Sequence, residues 1–216
     1  MRSHAGWLTL ILLAAGAAHA AGTDLQIRVE DQKHDPVGDG VVWLVPLDRP
    51  AAPASAPPTR VEIEQRGQEF SPLVTVVRVG TTVQLPNRDN VEHHVYSQSQ
   101  AKKFEFPLYA PGRAESVVFD RPGVVALGCN IHDWMLAYVV VVDTPWYSRT
   151  DAAGHGMIAG VPPGRYRAEV WHRRLASSVQ REIEIETAST PLAFTLALKP
   201  DRRIRRPASI ERGGYR

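Results

Sequence analysis

The chain has 216 residues, of which 44% are hydrophobic and 22% charged, with 25 lysines and arginines against 23 aspartates and glutamates. That is globular composition, with enough chain for one large core or two small ones, and a formal charge of +2 points to no nucleic-acid partner. The single cysteine excludes an internal disulfide.

Residues 1–20 open with basic Arg2, continue through an apolar run from Trp7 to Leu13, and close on Ala18-His19-Ala20. The pattern predicts a cleaved signal peptide with Ala21 as the first mature residue. The run is too short to cross a bilayer about 30 Å thick, so no stable membrane insertion is expected after cleavage. The destination is the periplasm. A lone thiol exported there is either buried and inert or held by a metal.

Beyond the leader, helical periodicity is scarce. Residues 21–48 contain two strand-like runs, "DLQIRV" and "VVWLV", and residues 49–60 form a Pro/Ala/Ser linker. Residues 61–143 bring "LVTVVRV", "TTVQL", "HHVYS", "ESVVFD", "GVVALG" and "LAYVVVV". Residues 144–199 add "YRAEVW", "REIEIE" and "LAFTLAL". Short β-branched runs punctuated by Gly, Pro, Asn and Asp predict an all-β protein built of sandwiches or barrels. Residues 200–216 are rich in arginine and poor in apolar residues, and are expected to be a disordered basic tail for an acidic partner or surface.

The chemistry concentrates in "GCNIHDWM", residues 128–135, which place Cys129, His132 and Met135 within seven positions. Thiolate, imidazole and thioether together select soft or borderline ions, above all copper. A type 1 (blue) copper centre takes two histidines and one cysteine in a plane with a distant axial methionine. The missing imidazole is sought in "TTVQLPNRDNVEHHVYS", at His93 or His94. Structural zinc would want several thiolates, and a binuclear thiolate site two. A Cys/His nucleophile leaves Met135 without a role, and no His-x-His pairs serve an oxygen-reducing cluster. His34, His155 and His172 lie in turns or near strand ends and are expected to be surface or structural.

At these residues the chain resembles the cupredoxins, specifically the plastocyanin/amicyanin branch. "GTTVQLPNRDNVEHHV" follows that branch's N-terminal signature through Gly80, Val83, Asn87, Asp89 and Val95, and the Cys-x-x-His-x-x-Met spacing resembles amicyanin's short loop. The resemblance implies a Greek-key cupredoxin β-sandwich over residues 61–143. It also implies one type 1 copper ion held by His93, Cys129, His132 and Met135. His94, in the place of the family's usual Asn, becomes an alternate ligand or a neighbour of the ligands, and Glu92 replaces a usual Pro. Asn87 and Asn130 are expected to brace the loops or donate to the sulfur. His132 is the expected exposed port for electrons, with Trp134 either part of a docking patch or core.

The stretch also looks like exported chains labelled methylamine utilization proteins. The flanks, "VEDQKHDPVGDGVVWLVPL" and "TDAAGHGMIAGVPPGRYRAEVWH", resemble a carboxypeptidase-regulatory-like (transthyretin-like, Ig-like) β-sandwich, here interrupted by the cupredoxin block. Three functions follow as expectations. The leading one is a non-enzymatic electron carrier serving a periplasmic redox protein or dehydrogenase. The others are a copper carrier or sensor that does not cycle, and a metal-free binding module.

Overall fold

The computed structural model describes residues 22–50, 60–186 and 190–205. The leader, most of the 49–60 linker and the last part of the tail lie outside the described residues. The chain is all-β. In order, its strands are β1 (Thr23–Asp31), β2 (Val41–Pro46), β3 (Val61–Glu62), β4 (Glu64–Gln65), β5 (Phe70–Ser71) and β6 (Val74–Arg78). There follow β7 (Thr81–Pro86), β8 (His93–Ser99), β9 (Lys102–Tyr109), β10 (Ala114–Phe119), β11 (Gly123–Cys129) and β12 (Leu136–Val142). The last five are β13 (Tyr147–Arg149), β14 (His155–Val161), β15 (Gly164–Trp171), β16 (Val179–Ile185) and β17 (Leu192–Leu196). No helix among the described residues is long and apolar enough to cross a membrane.

Four main sheets form: β14-β1-β17, β13-β2-β15-β16, β6-β12-β11-β8-β9, and β10-β7-β3. The first two strands therefore pair only with strands beyond Thr144, while β3 to β12 pair among themselves. Three apolar seams join the sheets in series. Leu25, Ile27 and Val29 of β1 meet Leu44, Tyr166 and Val170 in the first seam. Val83, Leu85 and Phe119 meet Val125, Leu127 and Val139 in the third. Between them, Val41 meets Val74, Val140 and Val142, with the Tyr138 and Trp171 rings 5.4 Å apart at the margin.

This stacking explains the one run that does not alternate. Side chains on a strand point to opposite faces in turn. On β12, Ala137, Val139 and Val141 enter the third seam, while Val140 and Val142 enter the second. Both faces are covered, so "LAYVVVV" is apolar throughout, as strands buried on both sides are. Outer strands keep the two-residue period, as in β1, whose Leu25, Ile27 and Val29 are buried between exposed neighbours.

One turn shows why glycine is required. Gly154 sits at φ 74°, and a Cβ there would lie 2.3 Å from the Val29 carbonyl oxygen. That approach lets the Val29 amide donate to the Gly154 carbonyl at 2.8 Å and locks β1 to the start of β14.

The basic tail needs a correction. The chain does not leave the fold at residue 200. Both Arg173 guanidinium nitrogens Nη1 and Nη2 donate to the Asp201 carboxylate, at 2.8 and 2.7 Å, and the Arg203 amide donates to the same group at 3.1 Å. Asp201 is held well below the usual carboxylate range, first by Arg173 and then by that amide. Composition registered the arginines but not that Asp201 among them finds its partner just beyond the end of β15.

Candidate metal centre

Strands β8 and β11 are antiparallel neighbours, with Cys129 opposite Val95 and Gly128 opposite Tyr96. That register carries the start of β8 past the end of β11, so His93 arrives beside Cys129. The Asn130 amide donates to the His94 carbonyl at 3.1 Å and ties the two loops together through the backbone. Gly128 lies under the Tyr96 ring, whose carbons a Cβ would meet at 3.1 to 3.2 Å. A side chain at this position would press on the Tyr96 ring.

The result is a buried cluster. His93 Nδ1 lies 3.8 Å from Cys129 Sγ, and His132 Nδ1 lies 3.7 Å from the same sulfur. One donor atom from each of the three residues falls within 4.8 Å of the others, and no second group of this kind occurs among the described residues. His93 is 0% exposed, Cys129 5% and His132 5%. Met135, 2% exposed, belongs to the same core cluster as Cys129, and its amide donates to the His132 carbonyl at 3.0 Å, closing the short loop.

His94 points elsewhere. Its ring nitrogen Nε2 lies 2.9 Å from a carboxylate oxygen of Glu105 on β9. Adjacent strand residues face opposite ways, so only one of the two imidazoles can reach the sulfur. Asn87 is buried, and its amide nitrogen donates to the carbonyls of Val91 and Tyr109 at 2.8 and 3.1 Å, while its oxygen accepts from the Asp89 amide at 3.0 Å. It braces the loop ahead of His93 and makes no bond to the sulfur. Asn130 is exposed and acts through its backbone.

The expected open port is corrected. At 5% exposure, His132 is enclosed, its ring centroid 5.1 Å from His93 and 5.3 Å from Trp134. The loop closed by Met135 turns the imidazole inward. Trp134 is half-buried, packs against the core and donates its indole N–H to the Gln68 carbonyl at 2.9 Å. Of the other histidines, His34 and His155 are exposed, whereas His172 is buried, and burial with Arg173 and Arg174 nearby pushes its pKa down to about 4.

Asp89 is the residue the sequence reading matched without giving it work. Its carboxylate lies 2.8 Å from His93 Nε2 and accepts the Gln68 amide at 2.8 Å and the Gly67 amide. It holds the imidazole proton on Nε2 and turns the Nδ1 lone pair toward the sulfur. A carboxylate four positions ahead of a ligand-like histidine was the available signal. Trp134, Gln68, Asp89 and His93 thus form one connected chain of bonds into the cluster.

The electrostatics of the pair are coupled. Burial pushes the Cys129 thiol up, but the His93 ring and the Ile131 and His94 amides outweigh it and hold the thiol below its usual 9.0. Burial likewise works against a charged His93, yet Cys129 and Asp89 together hold it above its usual 6.5.

Neither a family model nor a curated protein matches this chain. Among solved structures, it is similar to a purple cupredoxin from Nitrosopumilus maritimus, at 28% identity and TM-score 0.34, over 39% of this chain and 100% of that one. It is also similar to a copper-containing nitrite reductase from Thermus scotoductus SA-01, at 26% identity and TM-score 0.38, over 45% of this chain and 27% of that one. A third likeness is to a methionine-to-alanine mutant of amicyanin in its Cu(I) form, at 21% identity and TM-score 0.37, over 42% of this chain and 95% of that one.

Proposed function

We propose that the chain is a periplasmic type 1 copper protein that carries single electrons between redox partners, and is not itself an enzyme. The observation that carries this reading is the buried triangle of His93 Nδ1, Cys129 Sγ and His132 Nδ1. A three-coordinate ion with bonds of about 2.3 Å to sulfur and about 2.0 Å to nitrogen separates those donors by about 3.7 Å. The sulfur-to-nitrogen distances of 3.8 and 3.7 Å fit it. The donor set, one thiolate, two imidazoles and a nearby thioether, is the one copper favours.

Bound copper supplies a one-electron Cu(II)/Cu(I) couple. The protein's part is rigidity. Cys129 would hold the ion through its thiolate and His93 and His132 through their Nδ1 atoms, and Met135, buried in the same cluster, would offer its thioether. Asp89 keeps the His93 ring from turning, Asn87 braces the loop ahead of it, and the enclosing core would exclude water and limit rearrangement of the ligands. The outer pair of sheets is read as the transthyretin-like module that carries the copper block as an insertion.

Copper reconstitution of the purified mature chain is the direct test. It is expected to give one copper per chain, an intense visible thiolate band, and its reversible loss on reduction. Copper bound without that cycling would favour a carrier or sensor, and no binding would favour a metal-free module. N-terminal sequencing of exported material should begin at Ala21.

Asp89→Asn is expected to weaken copper affinity about 10- to 100-fold, read by chelator competition, because the ring loses its fixed tautomer. Protons compete with the ion at His93, whose pKa is raised. Copper uptake therefore weakens as pH falls through that raised value. Loss of the Asp89 charge lowers the pKa, so in the variant the acid limb moves to lower pH.

A further inference from the structure

The copper reading leaves the partner's character open, and the described end of the chain bears on it. Beyond the Arg173–Asp201 clamp, Arg203, Ile204 and Arg205 line a groove with Glu69, Leu73, Trp134 and Leu136, the first residue of β12. Trp134 is the residue whose ring touches His132. The arm thus reaches a face where the half-buried Trp134 ring lies between the cluster and the surface.

Charge and polarity make that face distinctive. Residues 199–205 carry four basic side chains against one acidic, a formal +3, whereas residues 1–198 sum to −3. Asp201 is already paired with Arg173, and of the acids nearby Glu69 and Asp133 are exposed. Arg202 and Arg205 are exposed, and the buried Nε of Arg203 has no hydrogen-bond acceptor among the described residues. Ile131 of the ligand loop and Ile204 of the arm are 48% and 61% exposed. A basic rim around apolar residues, on a body of opposite sign, orients the molecule as it approaches a negatively charged surface.

We propose that the Trp134 face and the Arg202–Arg205 arm form the docking surface for an acidic redox protein, the arm steering the partner onto the His132–Trp134 edge. This rests on the electron-carrier reading. A membrane surface is the less favoured occupant, because anchoring there would cover the same edge.

The test uses the full mature chain and the double variant R202E/R205E, which leaves the Asp201 clamp intact. Copper-loaded protein is oxidised in a stopped-flow instrument by hexacyanoferrate(III), an anion, and by tris(phenanthroline)cobalt(III), a cation. In the variant the anionic oxidant is expected to react roughly tenfold more slowly at low salt and the cationic one faster, the contrast fading at high salt. Unchanged rates with both reagents overturn the proposal.

A copper-independent arm separates it from the redox reading. Polyglutamate added to the metal-free chain should shift the Trp134 indole N–H resonance, and should not in the variant. If that shift occurs in a chain that never cycles copper, the carrier reading fails and the docking surface stands. If copper cycles but the resonance ignores polyglutamate, or answers only to phosphatidylglycerol vesicles, the docking proposal fails.

Discussion

Replacing Cys129 with serine is expected to abolish the visible copper band altogether and to lower copper affinity by more than about 100-fold, while leaving the fold intact. The loss exceeds that of Asp89→Asn because a ligand is removed rather than a group that orients one. A serine hydroxyl is a hard, neutral donor, and the thiolate-to-copper transition needs sulfur. Nothing else can substitute, since the chain has one cysteine. The fold should survive because serine is close in size and the site's edge retains polar neighbours in His93 and His132. Absorption and EPR of the reconstituted variant, beside its circular dichroism, check both halves. A retained blue band in the serine variant would remove the thiolate, and with it the type 1 site, from this protein.

Val140→Asp is expected to cost about 3 kcal/mol or more of stability, read by chemical denaturation. Val140 is 1% exposed and sits in the seam between the sheet that carries Cys129 and the flanking sandwich. Its in-register neighbours on the two adjoining strands are Val76 and Val124, neither able to pair with a carboxylate. Arg167, which lines the same groove, is already 2.8 Å from Glu169. The variant's remaining folded fraction should still take up copper with a normal band, because Ala137, Val139 and Val141, and not Val140, face the side on which Cys129 lies. Loss of colour in proportion to loss of stability would mean the two faces of β12 are not independent.

The strand runs were legible where burial imposes a pattern. The alternating and β-branched segments became β1, β2, β6, β7, β8, β10, β11, β12, β15, β16 and β17. Two longer strands were overlooked. β9 contains two lysines, a glutamate and Pro107, and β14 contains two glycines. Both lie at sheet edges, where one row of backbone groups is unpaired and proline, charge and glycine are tolerated. Propensity is weakest as a guide in those places.

Three of the cluster's residues were legible because they are sequence neighbours. Any fold keeps Cys129, His132 and Met135 within one loop's reach, and their donor chemistry follows from residue type. The sequence by itself therefore determined the all-β class, the soft donor set and the choice of two candidate imidazoles 35 or more residues away. Only the tertiary structure decided which imidazole meets the sulfur, because that depends on the β8–β11 register and not on spacing. It also decided that Asp89 orients the ring, that His132 is enclosed, and that the basic arm returns to Trp134. Each of those is a contact between segments distant along the chain, and pairing across such distances is set by packing of the whole core.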